Sequence, residues 1–147
     1  MIADSINQKI AAALKARDEI RLSTLRLLSS ALNYEFIAKQ HQLSQEEELV
    51  VVRREIKKRK DAIEAYTRAK ARDRAEKEKK EMQILQEFLP EEMGDEELTR
   101  LVAEAISQLG AQGPADMGKV MGAVMPKVGG KAAGARVSAL VMAQLQK

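Results

Sequence analysis

The sequence predicts an all-α protein, with an N-terminal domain built around a hairpin of long helices and a small C-terminal three-helix bundle. Three observations carry this reading. Residues 46–89 contain neither proline nor glycine and consist almost wholly of good helix formers. Apolar residues recur at helical spacing along most of the chain, and nowhere alternate for long enough to argue a strand. All eight glycines, at 94, 110, 113, 118, 122, 129, 130 and 134, follow Pro90. That shift in composition sets the predicted domains at 1–92 and 93–147.

Taken in order, Asp4 or Ser5 is positioned to cap a first helix whose apolar face is Ile6, Ile10, Ala13 and Leu14. A bend near 17–19 restarts the pattern, and Leu22, Leu25, Leu28, Leu32 and Phe36 form the stripe of a second helix. Ser44 and Glu47 then make a capping box, in which each side chain accepts the other residue's backbone N–H. The helix that follows has a seam of Leu49, Val52, Ile56, Ile63 and Tyr66, with Arg59 between the two isoleucines and its charge expected at the edge. A polar turn near 70–73 leads into a further helix bearing Met82, Leu85, Phe88 and Leu89, which Pro90 is expected to stop. Both phenylalanines are expected in cores.

In the C-terminal part, Asp95 is expected to cap a helix that turns Leu98, Leu101, Val102, Ala105, Ile106 and Leu109 inward and ends at Gly110. Pro114 suits a first helical turn. Met117, Val120, Met121, Val124 and Met125 run up to Pro126, and Val137, Leu140, Val141 and Leu145 mark a last helix. Gly118 and Gly122, one turn apart, are expected to allow close helix packing.

Charge and composition narrow the function. The chain has 25 Lys and Arg against 22 Asp and Glu, a formal net charge of +3, and 3% aromatic residues. No cysteine is present, which excludes disulfides, thiolate zinc sites and cysteine nucleophiles. The single histidine, His41, cannot anchor a zinc site alone, and the acidic pairs lie at helix starts without an evident pocket. No catalytic, metal or cofactor site is therefore expected. The polar start and the lack of a long apolar run predict a soluble, cytoplasmic protein without a membrane partner.

Two segments are candidates for binding. RREIKKRK at 53–60 places Arg53, Arg54, Lys57 and Lys58 on the flanks of a helix, where they can meet phosphates or serve only as a solvated face with i,i+4 partners. The later run 70–81 mixes both signs and reads as solvated surface. DMGKVMGAVMPKVGGKAAG at 116–134 carries a methionine stripe suited either to core packing or to recognition. Its Gly129-Gly130-Lys131 lacks the remaining elements of a nucleotide-binding phosphate loop. Lys131, at the mouth of a helix, can still meet a polynucleotide phosphate.

These residues together resemble the YqeY family, small bacterial proteins related to the C-terminal tail of the B subunit of the glutamyl/aspartyl-tRNA amidotransferase. The likeness rests on Leu25-Arg26-Leu27 with Ala31, the run from Arg53 to Ala62 with Glu64 and Tyr66, then Glu81, Ile84, Leu85, Leu89, Pro90 and Asp116 to Met121. It spans essentially the whole chain. The resemblance implies the same two-part helical layout, and a tail that helps hold tRNA while the chemistry happens elsewhere. It points to Lys119, Gly130, Lys131 and Gly134 as RNA-facing. The family commonly has Arg at 131, whose bidentate fork lysine lacks, and Asp at 133, where Ala133 removes a cap.

The expected function is accordingly a non-catalytic module binding tRNA, or a tRNA–enzyme complex. The alternatives are a protein-interaction adaptor that docks a partner helix, and carbon–nitrogen ligase activity only within a larger complex. Oligomeric state and the RNA species are left open by the sequence.

Overall fold

The computed structural model describes residues Met1–Lys147, all-α with seven helices. The chain divides into two compact units, Met1–Leu89 and Pro90–Lys147.

The first unit holds α1 (Ile2–Lys15), α2 (Glu19–Lys39), α3 (Gln45–Arg68) and α4 (Arg72–Gln86). α1 ends where Arg17 takes a left-handed conformation, and α2 begins on Asp18, whose carboxylate accepts the N–H of Arg21 at 3.1 Å. α2 ends with Gln40 left-handed. The capping box at Ser44 and Glu47 is formed at both bonds, 3.2 and 2.9 Å. Lys70, with φ of 58°, turns α3 into α4. Backbone bonds from Glu87, Phe88 and Leu89 to carbonyls three residues earlier tighten the end of α4, so the helix closes before Pro90 rather than at it.

α3 packs most extensively on α4, and α1 on α2. Ile6, Leu28, Leu32, Leu43, Val51, Val52, Ile56 and Leu85 close the main core, with Ala13, Leu25 and Ile84 forming a second cluster. Two expected members are outside it. Leu14 is exposed on the far side of α1, and Phe36 is 47% exposed. The latter has a geometric reason: α2 has 21 residues against 14 in α1, so its last turns run beyond the start of the antiparallel α1 and lose their cover. Phe88 is half-buried against both clusters.

The start of α1 is held from a distance. Asp4 and Ser5 lie inside the helix, and neither accepts an N–H there; instead Asp4 pairs with the Met1 amino group at 3.3 Å. The first amides are taken by Glu48 of α3, which is fully buried and accepts Ile2 N–H at 3.1 Å and Ala3 N–H at 2.7 Å. A carboxylate at this site satisfies two of the donors that a helix start leaves open and meets the positive end of its dipole.

The second unit holds α5 (Asp95–Leu109), a single 3-10 turn at Pro114–Asp116, α6 (Met117–Val128) and α7 (Gly134–Leu145). Each of the three α-helices packs on the other two. Their facing rows follow i,i+4 spacing on α6 (Val120, Val124 and Val128) and α7 (Val137, Val141 and Leu145), and a four-then-three spacing on α5 (Leu98, Val102 and Ala105). Short β-branched side chains fill this core without an aromatic ring. Leu109, expected inside, is exposed at the end of α5, where Gly110 closes the helix with φ of 62°. α6 passes through Pro126 and ends on left-handed Gly129. No helix of the protein is long and apolar enough to cross a membrane.

Candidate nucleic-acid interface

The basic helix in the first unit turns most of its charge onto its own carboxylates. Arg54 reaches Glu35 on α2 at 2.9 Å, Lys57 pairs with Asp61 at 3.1 Å and Lys58 with Glu55 at 3.0 Å. Arg53 is half-buried on the same helix. Glu64 takes Arg68, four residues later, as its partner, and Lys60 is exposed.

Arg59 differs from its expected place at an edge. Its side chain is only 12% exposed and is enclosed by Glu55 on its own helix and by Glu78 and Glu81 on α4. The Nε atom stands 2.9 Å from a Glu81 oxygen and 3.5 Å from one of Glu78, but its N–H is off the line to either, so the attraction is ionic. Burial, then the neighbouring Glu81 carboxylate, pushes Glu78 above the ordinary carboxylate value of 4.5 despite the guanidinium. The cluster ties α3 to α4.

The second unit is organised otherwise. Residues 117–147 contain five basic residues, Lys119, Lys127, Lys131, Arg136 and Lys147, and no acidic one. Arg136, in the first turn of α7, is used internally: it donates to the Met93 carbonyl at 2.8 Å and pairs with Asp95 and Glu92. Asp95 thus stands at the first position of α5 as an ion-pair partner, and Gly94 takes the cap position without a side-chain bond. Lys119, Lys127 and Lys131 are exposed and face no carboxylate within ion-pair distance.

Their placement on the helix is specific. Gly118, Lys119, Gly122 and Pro126 are exposed on the side of α6 away from the valine row, and Lys127 is exposed on its flank. A Cβ added at Gly118 or Gly122 would meet nothing within 4 Å, so these glycines do not serve the close packing that their spacing suggests. Gly122→Ala is therefore expected to stabilise the second unit by about 0.5–1 kcal/mol, because an exposed helix glycine costs that much relative to alanine. A rise in the thermal midpoint with unchanged helix content checks this; a fall would show that the bare backbone is needed within the fold.

Lys131 lies on the turn between α6 and α7, after Gly129 and Gly130 with φ of 59° and 81°. Its carbonyl accepts the Met93 N–H at 2.8 Å, which fixes the turn against the start of the unit. Gly134 opens α7, and the cap residue Ala133 offers no side-chain acceptor to the first amides. Lys119 and Lys131 are not brought to one point: Lys119 lies in the first turn of α6 and Lys131 beyond its end, and the stretch of α6 from 119 to 128 alone rises by roughly 14 Å. Lys127 lies between them in the chain, in the last turn of α6. Lys127 escaped the sequence reading, although the absence of acids after Asp116 marks it. Met117, Met121 and Met125 are half-buried against the valine core, so most of that stripe is spent on packing.

A family model described as Yqey-like protein matches residues 3–145 of the chain. Over 86 residues the chain is 36% identical to an uncharacterized protein of Schizosaccharomyces pombe, a stretch covering 58% of this chain and 70% of that protein.

Proposed function

We propose, from the premise that this chain belongs to the Yqey-like protein family, that it is a non-catalytic accessory module that contacts the sugar–phosphate backbone of RNA of the tRNA class. The observation that carries the reading is the acid-free segment 117–147 with its three exposed lysines at 119, 127 and 131, none of them paired with a carboxylate. Cations spaced along a helix and the turn that follows it suit an extended polyanion better than a single phosphate, since each neutralises a separate phosphate. The bare backbone at Gly118 and Gly122 lets a bulky strand approach α6 without meeting side chains. Structured RNA is bound largely through shape, phosphates and ribose hydroxyls, so no stacking aromatic is required in this unit. Gly130, Lys131 and Gly134 add a turn that presents one cation beside the uncapped start of α7.

In this reading Arg53, Arg54, Lys57 and Lys58 play the secondary part. Exposed ion pairs are worth little and exchange readily for phosphate, but each such exchange strands a carboxylate beside the RNA.

The test is an anisotropy titration of labelled unfractionated tRNA with the full chain, from about 50 to about 200 mM salt, the range over which phosphate contacts reveal themselves. Lys119→Glu with Lys131→Glu is expected to weaken binding at least about tenfold at the lower salt, and to flatten its salt dependence. Arg54→Glu with Lys58→Glu should change it less. The reverse ranking moves the interface to α3, and an absence of saturable binding by the parent chain removes the RNA reading.

A second reading, a protein-interaction adaptor, is favoured by one observation: Leu27, Tyr34 and Ile37 project from α2 with 51%, 77% and 71% of their surface exposed. Replacing Tyr34 and Ile37 with serine should then abolish a protein complex while leaving tRNA binding intact.

A further inference from the structure

We propose that the cleft between α1, α2 and the α2–α3 loop in the first unit is a binding site for a neutral, planar heteroaromatic ring of the nucleobase class. The cleft has a volume of about 390 Å³ and is lined by ten residues. Its size falls within the range of small-molecule sites.

The lining is unlike the rest of the chain. Charged residues make up 32% of the sequence, yet none of the ten side chains here is charged, and the one charged group among these residues, the Met1 amino terminus, is paired with Asp4. Ile6, Leu32 and Leu43 give a buried apolar floor. Asn7, Asn33 and Gln42 supply three carboxamides around it, and no hydrogen bond inside the protein engages any of the three side chains. Phe36 forms one wall and keeps 47% of its surface open because α2 overruns α1.

These features select a ligand chemistry. An apolar floor whose one neighbouring cation, the Met1 amino group, is already paired with Asp4 disfavours a phosphate, carboxylate or ammonium group, which would lose hydration without a free counter-ion to replace it. A carboxamide presents one donor and one acceptor in a plane, the complement of a base edge, as in the two-bond contact of Asn or Gln with adenine. An open phenyl face beside them supplies stacking, the usual partner of an unpaired base. A purely aliphatic guest would use the floor but leave the carboxamides unmatched. The same chemistry can arrive as a free nucleoside or as an unpaired base in a strand.

The proposal is independent of the lysines in the second unit. Two-dimensional amide NMR on the full chain, with adenosine, guanosine, cytidine, uridine and a single-stranded tetranucleotide as probes, tests it. Saturable shifts of the Asn7, Asn33 and Gln42 side-chain amides are expected with at least one probe. Phe36→Leu should weaken that binding about tenfold, in keeping with the loss of one stacked base, and Phe36→Tyr should restore it. Both positions 33 and 36 are exposed enough for the variants to fold, and Asn33→Leu should lower affinity with helix content unchanged.

The strand binding more tightly and with salt dependence would assign the ring to RNA, and nucleosides binding as well as the strand would assign it to free ligand. Absence of saturable shifts with all five probes overturns the proposal. So does equal binding of cyclohexanol, or indifference to Phe36→Leu. Loss of tRNA binding in Lys119→Glu with Lys131→Glu while these shifts persist would separate this site from the second unit's interface.

Discussion

Glu48→Ala is expected to lower the stability of the first unit by roughly 2–4 kcal/mol, since a charged hydrogen bond contributes about 1.5–3 kcal/mol and this carboxylate makes two. Its oxygens accept Ile2 N–H and Ala3 N–H, and the side chain has no exposed surface. Truncation leaves both donors unmatched at the start of α1 and a void beside Val51 and Val52. Glu48→Gln should lose about half as much, because the amide retains one acceptor but turns a donor toward the second N–H. Urea unfolding followed by helix signal measures the loss, and amide exchange at Ile2 and Ala3 locates it. Unchanged exchange at those two amides in the alanine variant would show that water caps the helix equally well.

That residue also shows what the sequence discloses and what it conceals. The capping box at Ser44 and Glu47 was legible because its partners lie three residues apart, and the ends at Gly110 and the turn at Lys70 were legible because local backbone chemistry decides them. The all-α class and the core rows follow from spacing alone. Glu48 caps a helix 46 residues earlier in the chain, so no local pattern names its partner. A signal existed nonetheless: Glu48, Val52, Glu55 and Arg59 follow at four, three and four residues, which continues the buried seam with charged members.

The same limit applied to the binding surface. Charge density drew attention to 53–60, yet Glu35 on another helix, and the nearby Glu55 and Asp61, take up much of that charge. In the second unit, three lysines matter because nothing opposes them, and an absence of acids is quieter than a run of bases. Phe36 failed as a core residue for a length reason: its periodicity is right, but periodicity does not report where the covering helix begins.

Arg59→Met is the other substitution of large expected effect, about 3–5 kcal/mol at neutral pH, the magnitude of removing one partner from a buried ionic group. Methionine preserves most of the packed stem, so the loss reports the charge: Glu55, Glu78 and Glu81 are left together between α3 and α4 with only Lys58, on Glu55, to offset them. The pH dependence gives the test its sign. Glu78 is already raised above 4.5 by burial and by Glu81, so the folded state binds its proton more tightly than the unfolded chain. Stability from that proton is present below the unfolded value and is lost as pH rises through the folded one. Removing the guanidinium takes away the attraction that lowers Glu78, so protonation begins at still higher pH and relieves the carboxylate repulsion sooner. The destabilisation by Arg59→Met should therefore shrink as pH falls from neutral toward 4.5, measured as the difference in urea midpoint between variant and parent at each pH. Arg21 and Glu87 provide the opposite control: their pairing lowers Glu87, so its contribution is present above 4.5 and fades as pH falls through the lowered value. An Arg59→Met loss of the same size at every pH would mean that the guanidinium holds the hairpin by its packing, with the carboxylates around it bearing none of the strain.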